Sequence, residues 1–465
     1  MKKIAAIASI TLACFSCIPA VAQSVLTPRG GGDDTANQDG ASEQAVQATS
    51  NPETPPPPSF GITGDWGGAR SSLHDAGIDL LLAYGTEAAW NARGGARRDA
   101  TMIGQAIVGA DADMAKLAGI KGGTAKVALF YRHGPSVNIT ADLGLLQQVQ
   151  EAYGRGEIVR LVEAWYQQSF DDDRFRLKAG RMPTNSDFAS FSCDFQNLSF
   201  CASPQGNFPG GIGYWLSAPG SNWAALARYN IGQSRKNGYF QIGAYQVNQK
   251  NIDPTNGFRL GFGGGSGVLI PIEAALTPNF GGKRPGTYKI GGWIETSKAN
   301  DLVRDEQGNL IAVSGRPGDP FRGRHGFYLQ ILQQITPSPD GIDHKGLSVF
   351  FNFTQLDRKS SLIDNQIAAG FTHTGTFKGR PNDQIAFALA RTHVNSRMRA
   401  VDRIAVDEGS LLGIRNAEYI AELDYRIVPA AGIRISPNVQ WGINPGAISE
   451  RRNVVVLGVK SSVQF

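Results

Sequence analysis

The stretch that decides the fold is "RRNVVVLGVKSSVQF", residues 451–465. Val455, Leu457, Val459, Val463 and Phe465 share one parity, with Ser461 breaking the run, while Lys460, Ser462 and Gln464 fall on the other. Period-two alternation marks a strand with two unlike faces. Taken alone, the stretch fits an edge strand of a soluble sandwich as well as a strand of a closed barrel. The opposite end of the chain separates the two.

That end reads "MKKIAAIASITLACFSCIPAVAQS". Lys2 and Lys3 precede an apolar run from Ile4, and Ala20-Val21-Ala22 supplies a small-x-small cleavage pattern before Gln23. The pattern predicts a secretory signal peptide over 1–22, with an apolar core too short for a good membrane span. A lipoprotein reading through Cys14 or Cys17 fits poorly, because the residues before each cysteine are unsuitable. Residues 23–60 carry no hydrophobic periodicity and are rich in Gly, Ala, Ser, Asn and Pro, so a flexible low-complexity leader is expected there. Pro55 to Pro58 would stiffen its end. The third unit, 61–465, is read as one folded domain.

Composition narrows its class. After the signal no apolar stretch approaches the roughly 18–20 residues that a spanning helix needs. Glycine is abundant at 57 residues. A chain of 465 residues suits two or three soluble domains, or one large barrel whose strands are each about ten residues long. The formal net charge of +5 falls to about +3 once Lys2 and Lys3 are removed, which argues neither for nucleic acid nor for a strongly anionic partner.

Alternating segments are read as strands near 78–90, 102–115, 122–133, 158–170, 173–182, 221–231, 238–248, 266–277, 285–297, 325–335, 344–355, 363–374, 382–395, 414–427, 432–442 and 453–465. The segment "GIGYWLSA" (211–218) is read as loop. Tight connections such as "DDD" (171–173) and "PAAG" (429–432) alternate with long ones at 134–157, 183–220, 298–324 and 396–413. An even number of strands with long and short connections taking turns is how an outer-membrane barrel is built. The expected fold is therefore all-β: a closed antiparallel transmembrane barrel of about 16 strands, with short periplasmic turns and long extracellular loops. Closure also pairs the last strand with the first, leaving no open edge in lipid.

Cys193 and Cys201 are the cysteines that remain after the signal, a short loop apart in "FSCDFQNLSFCASP" (191–204). In an oxidising compartment such a pair points to a disulfide. Free thiols and a metal pair are the alternatives, and no histidine lies near enough in sequence for a zinc pattern.

Several motifs, in order, carry a resemblance. "GITGDWGGARSSLHDAGIDL" (61–80), "LAGIKGG" (117–123), "EAYGRG" (151–156), "LVEAWYQQSF" (161–170), "LKAGRMPTNSDFA" (177–189) and the cysteine loop with "DFQN" (194–197) resemble the carbohydrate-selective porin (OprB) family. The final aromatic strand does too, so the likeness runs from about Gly61 to Phe465. The leader departs from the short N-terminus common in that family. The resemblance implies a sixteen-stranded outer-membrane barrel, in a Gram-negative bacterium, that passes mono- or small oligosaccharides by facilitated diffusion. Carbohydrates and outer-membrane lipids are then its partners, nucleic acid is not, and monomer and trimer are both open.

Strand parity gives the same lumen without that name. One parity meets lipid and the other the pore, and a charge facing the bilayer midplane costs about 2–4 kcal/mol. This puts Val127, Leu129 and Tyr131 outward, with Lys126, Phe130 and Arg132 inward. It puts Val162, Ala164 and Tyr166 outward, with Glu163, Trp165 and Gln167 inward. Phe175, Leu177 and Ala179 face out, with Arg174, Arg176 and Lys178 inward, and Lys289, Trp293 and Glu295 face the lumen. The expected pore-lining set is Arg132, Glu163, Trp165, Gln167, Lys178, Arg181 and Trp293. Arg181, where the chain turns into the cysteine loop, is placed at the level of Arg132 and Glu163, and Trp165 is given a stacking role. Mixed charge with indole faces suits sugar hydroxyls and ring faces, whereas ion-selective pores carry rings of one sign. Phe188, Phe191, Phe195 and Phe200 are too many to hold in water, so the 183–220 loop is expected to fold inward and narrow the pore.

Other patterns carry little. "GFGGGSG" (261–267) fails the dinucleotide spacing, the six histidines are scattered, and no nucleophile elbow appears. No cofactor, metal or catalytic residue is expected. The rival functions are a general or anion-preferring porin and, behind it, an outer-membrane lipid-modifying enzyme.

Overall fold

The segment "AEYIAELDYR" (417–426) shows how the wall is made. Tyr419, Ala421 and Leu423 point one way, and Glu418, Ile420, Glu422 and Asp424 the other. Leu423 is 52% exposed and Glu422 is 0% exposed, the reverse of a soluble protein. The computed structural model describes residues 60–192, 194–201, 213–232, 237–337 and 345–465. The expected signal peptide, nearly all of the leader, and Cys193 lie outside these residues.

The strands are β1 (Ile78–Arg93), β2 (Ala100–Asp113), β3 (Gly123–His133), β4 (Val159–Phe170), β5 (Phe175–Met182), β6 (Asn222–Ile231), β7 (Gly238–Val247), β8 (Gly267–Leu276) and β9 (Gly286–Glu295). A small flap follows, β10 (Ala299–Asp305) paired with β11 (Gly318–Phe321). The series continues with β12 (Arg324–Gln334), β13 (Gly346–Leu356), β14 (Ile363–Thr374), β15 (Gln384–Val394), β16 (Ala417–Ala430), β17 (Ile433–Ile443) and β18 (Val454–Gln464). All except the flap close into one antiparallel barrel of 16 strands, each paired with its neighbour in sequence. The sixteen segments read from periodicity are these sixteen. Among the described residues no helix is long and apolar enough to cross a membrane.

Closure rests on β1 and β18, in register from Ala83↔Gln464 to Trp90↔Leu457. The Phe465 amide donates to the Leu82 carbonyl at 2.9 Å. The terminal aromatic strand is thus an interior member of the barrel rather than an edge, which satisfies its backbone polar groups in lipid. At the termini end the connections are tight. Asp171, Asp172 and Asp173 all take left-handed backbone angles (φ 50°, 46° and 66°), a conformation that short polar side chains tolerate better than most. At the other end lie the long connections, although 94–99 and 357–362 are short. Residues 213–218 form no strand, as expected.

The outward parity is apolar around the barrel: Val127, Leu177, Ile272, Ile290, Leu389 and Leu423 are all exposed. So broad an apolar belt is stable only against lipid. Two parity readings fail, and Arg181, expected at the turn into the cysteine loop, lies within β5. Val162 is buried, because the β3–β4 register shifts between Ala128 and Leu129 and the bulged strand turns its extra residue inward. Arg174 sits in the 171–174 turn, bridging to Asp171 at 3.2 Å, and not on the inner wall. Arg181 pairs with Ala164 and Trp223, on the outward parity of β5.

Candidate translocation pathway

Two of the long connections enter the barrel. Of the 183–221 segment, residues 183–192 and 194–201 run along the inner wall, and their contacts trace the path. Lys178 Nζ on β5 reaches both carboxylate oxygens of Asp187 at 2.9 Å, and Gln241 on β7 donates to the Asp187 carbonyl at 2.6 Å. The Ala189 amide donates to Glu273 on β8 at 2.7 Å, while Gln330 on β12 donates to the Ala189 carbonyl at 3.0 Å. Lys289 Nζ on β9 reaches the Ser190 carbonyl at 2.7 Å. Farther round, Gln196 and Asn197 donate their amides to Glu422 on β16 at 2.8 and 2.9 Å. Arg426 meets Asp194 at 2.7 Å, and Lys460 on β18 donates to the Phe195 carbonyl at 2.5 Å.

Side-chain packing reinforces the path. Phe188, Phe195 and Phe200 are buried, as the inward fold requires. Phe188 meets Tyr245 edge-on at 6.0 Å, and a Cβ on Gly243 would come within 2.8 Å of the Phe188 ring. Phe195 packs on Phe200 at 5.1 Å, and both join Phe350 over Ala368, Ala386, Ala388 and Ala390. The small inward residues of β14 and β15 thus make room for the loop's phenylalanines. Phe191, half-buried, sits on Phe350 at 5.2 Å.

The 134–158 connection also folds inward, which the sequence reading did not anticipate. Leu146 and Gln147 donate their amides to Glu418 at 2.7 and 3.3 Å, and Ala152 donates to Glu87 at 3.1 Å. The two inserted segments then pair with each other: Glu151 N to Gln196 O at 3.1 Å, and Leu198 N to Gln148 O at 2.9 Å. Glu87, Glu273, Glu418 and Glu422 are therefore the anchors that hold the lumen's contents. All four lie on the inward parity of their strands, and Glu273 is the single acid of an otherwise apolar β8, a signal that the sequence carried. A buried carboxylate is tolerated when its oxygens are filled by donors, and hydrogen bonds to a charged group contribute about 1.5–3 kcal/mol.

The expected pore-lining residues divide. Arg132 is buried and ties the two inserted segments together: Nη1 to the Tyr153 carbonyl and Nη2 to the Ala218 carbonyl, both at 3.3 Å, with Nε on Gln105 at 2.5 Å. Glu163, Trp165, Gln167 and Lys178 all point inward and are buried. Trp165 donates its indole N–H to Glu163 at 3.2 Å, and the Lys178 ammonium lies 4.2 Å from the centre of its ring. Its expected stacking face is therefore already occupied. Trp293 faces inward, bonds the Tyr214 hydroxyl at 3.1 Å and packs on Trp215 at 5.1 Å. Arg181 stands opposite Ala164, level with Glu163 along the barrel, but on the outward parity of β5 and so not in the lumen. It bonds Ser221 at 3.0 Å and the Arg259 carbonyl, under the 248–266 connection.

Inward side chains that keep water contact lie nearer the termini end: Asp79, Asp111, Arg228, Lys289 and Arg434 are only half-buried. They form a vestibule of mixed sign below the inserted segments. Asp194 belongs to the inserted segment itself. Burial pushes its carboxyl up, but Arg426 beside it and the Ser192 hydroxyl outweigh that and hold it below the usual range.

The family model for "Carbohydrate-selective porin, OprB family" matches residues 97–465. Porin B of Pseudomonas aeruginosa is 34% identical over 426 residues, covering 88% of this chain and 92% of that protein. Putative porin QuiX of Acinetobacter baylyi is 31% identical over 431 residues, covering 87% and 93%. A solved high-pH structure of Pseudomonas putida OprB superposes with a TM-score of 0.83 at 34% identity, covering 89% of this chain and 100% of the other. A sixteen-stranded barrel with two long connections folded into its lumen, matched over most of its length by these relatives, belongs to the carbohydrate-selective porin (OprB) family.

Proposed function

We infer that the chain is an outer-membrane porin that lets mono- or small oligosaccharides diffuse through a lumen narrowed by the 134–158 and 183–221 segments. The observation that carries this reading is the anchoring of both segments to the inner wall by Glu87, Glu273, Glu418 and Glu422. A fixed constriction sets a size limit, and the vestibule of Asp79, Asp111, Arg228, Lys289 and Arg434 offers both donors and acceptors to hydroxyls. In this reading Arg132, Glu163, Trp165, Gln167, Lys178 and Trp293 form the wall that carries the inserted segments, rather than the surface that a sugar touches. The chain acts as a channel and not as an enzyme.

Residues 1–22 direct export and are removed, leaving 23–60 as leader to the 61–465 barrel. Cys193 and Cys201 form a disulfide that braces the inserted segment, consistent with the burial of Cys201. Sugar block and reversal potential, measured on the purified protein in planar bilayers, test the function. Saturable block by small sugars with weak ion preference is the expected result. Strong anion preference without sugar block would make it an anion porin instead.

A further inference from the structure

We propose that the outer wall of the barrel, between the β12–β13 rim and the β10–β11 flap, holds the phosphorylated head of an outer-leaflet glycolipid. A cavity of about 580 Å3 opens there, within the range of small-molecule sites. Its floor includes His325, Phe327 and Gln355. The register Gly326↔Leu356 and Phe327↔Gln355, with Tyr328 buried inward, puts these three on the lipid-facing parity. The cavity therefore lies outside the lumen, and its assignment does not rest on the sugar pathway. It sits at the end of the barrel remote from the termini, where the long connections gather, which is the extracellular end in barrels of this type.

Its rim is cationic. Arg358, Lys359 and Arg397 all line it, and each is held by an acid. Asp364, almost fully buried, lies 3.5 Å from Arg358. Asp301, also buried, holds Arg397 at 2.6 Å, and Asp319 holds Lys359 at 3.3 Å. The Lys359 ammonium also lies 5.2 Å from the centre of the Phe321 ring on the flap. Asp357 is the carboxylate that lines the cavity itself, and its oxygens are taken by Lys359 N at 3.1 Å, Ser360 N at 3.0 Å and Ser360 Oγ at 2.6 Å. The buried acids orient Arg358 and Arg397 from behind, while the side chains of Arg358 (51%) and Lys359 (49%) keep exposed surface for a ligand. Preset guanidinium and ammonium groups are what phosphate oxygens bind best.

Below the cations the wall turns apolar. Phe327 packs on Phe353 at 5.6 Å, and Leu329 and Phe351 continue the same parity down β12 and β13. A free sugar phosphate would use the rim alone. An amphiphile uses both, with phosphate at Arg358, Lys359 and Arg397 and acyl chains along the Phe327–Phe353 column. Basic pockets beside a membrane-spanning wall bind lipid heads in this way.

The test is native mass spectrometry of the full-length protein in detergent, titrated separately with bisphosphorylated lipid A, its dephosphorylated counterpart and glucose 6-phosphate. The native barrel should retain bisphosphorylated lipid A. The dephosphorylated lipid, and the Arg358→Glu/Lys359→Glu variant with the phosphorylated one, should each bind at least tenfold more weakly. Arg358→Lys/Lys359→Arg should bind as the native protein does, and glucose 6-phosphate should neither bind nor compete. Arg358→Ala/Lys359→Ala, expected to lose the same affinity, serves if the charge-reversed pair fails to show the heat-modifiable mobility of a folded barrel. Undiminished binding in the charge-altered variants, or equal retention of dephosphorylated lipid, overturns the proposal. Competition by glucose 6-phosphate at similar concentration also overturns it, assigning the site to free sugar phosphates.

Discussion

The two faces of β16 run through the same backbone and obey different physics. Outward, Tyr419 and Leu423 meet a uniform apolar solvent, and each position answers to one rule. Inward, Glu418, Glu422 and Asp424 are sealed beneath inserted chain, and Glu418 and Glu422 accept its backbone amides. Most of the inner wall serves to hold loops, and little of it is bare channel surface. The outer face should therefore fail by losing the fold, and the inner face by losing the constriction.

That contrast is easiest to break at Leu423. Leu423→Arg places a charge against the bilayer and should cost about 2–4 kcal/mol. Outer-membrane yield and heat-modifiable folded protein should both drop sharply, and normal yield would mean that the lipid face is misassigned. A smaller effect is expected on the inner face at Gly243. Its added Cβ in Gly243→Ala would crowd Phe188 at 2.8 Å, an overpacking of about 1–3 kcal/mol. The barrel should assemble while single-channel conductance changes. Unaltered conductance would show that Phe188 does not set the path of the segment.

The mildest change is at Asp194. Because its folded pKa is depressed, the Asp194–Arg426 clasp contributes stability above the ordinary carboxylate pKa and loses it as pH falls through the lowered value. Native conductance should therefore include a rise in acid, below the ordinary carboxylate range, that Asp194→Asn lacks. An identical acid profile in both proteins would remove the clasp from the account.

The sequence made the outer face nearly transparent. Alternation in segments such as "AEYIAELDYR" locates every barrel strand, because a lipid-facing parity admits few exceptions. It failed where local geometry overrides period two: the bulge that turns Val162 inward, and the turn that claims Arg174. The flap was also hidden, since "GDPF" (318–321) is short, contains proline and lacks alternation. Phenylalanines in the 183–220 loop announced an inward fold, whereas the 134–158 connection announced nothing, since Glu87 and Glu418 far away in sequence hold it. Arg181 illustrates the limit. A charge near a strand end reads as lumenal, yet here another connection covers it on the outside.

Buried carboxylates hold the inserted segments in place, and single-channel recording of Glu422→Ala probes that hold. Removing this acceptor strands the Gln196 and Asn197 amides, each costing about 1–3 kcal/mol if left buried and unpaired. A folded barrel with raised, noisier conductance and weakened sugar block is the expected result. Native conductance and native block in a folded Glu422→Ala protein would contradict it.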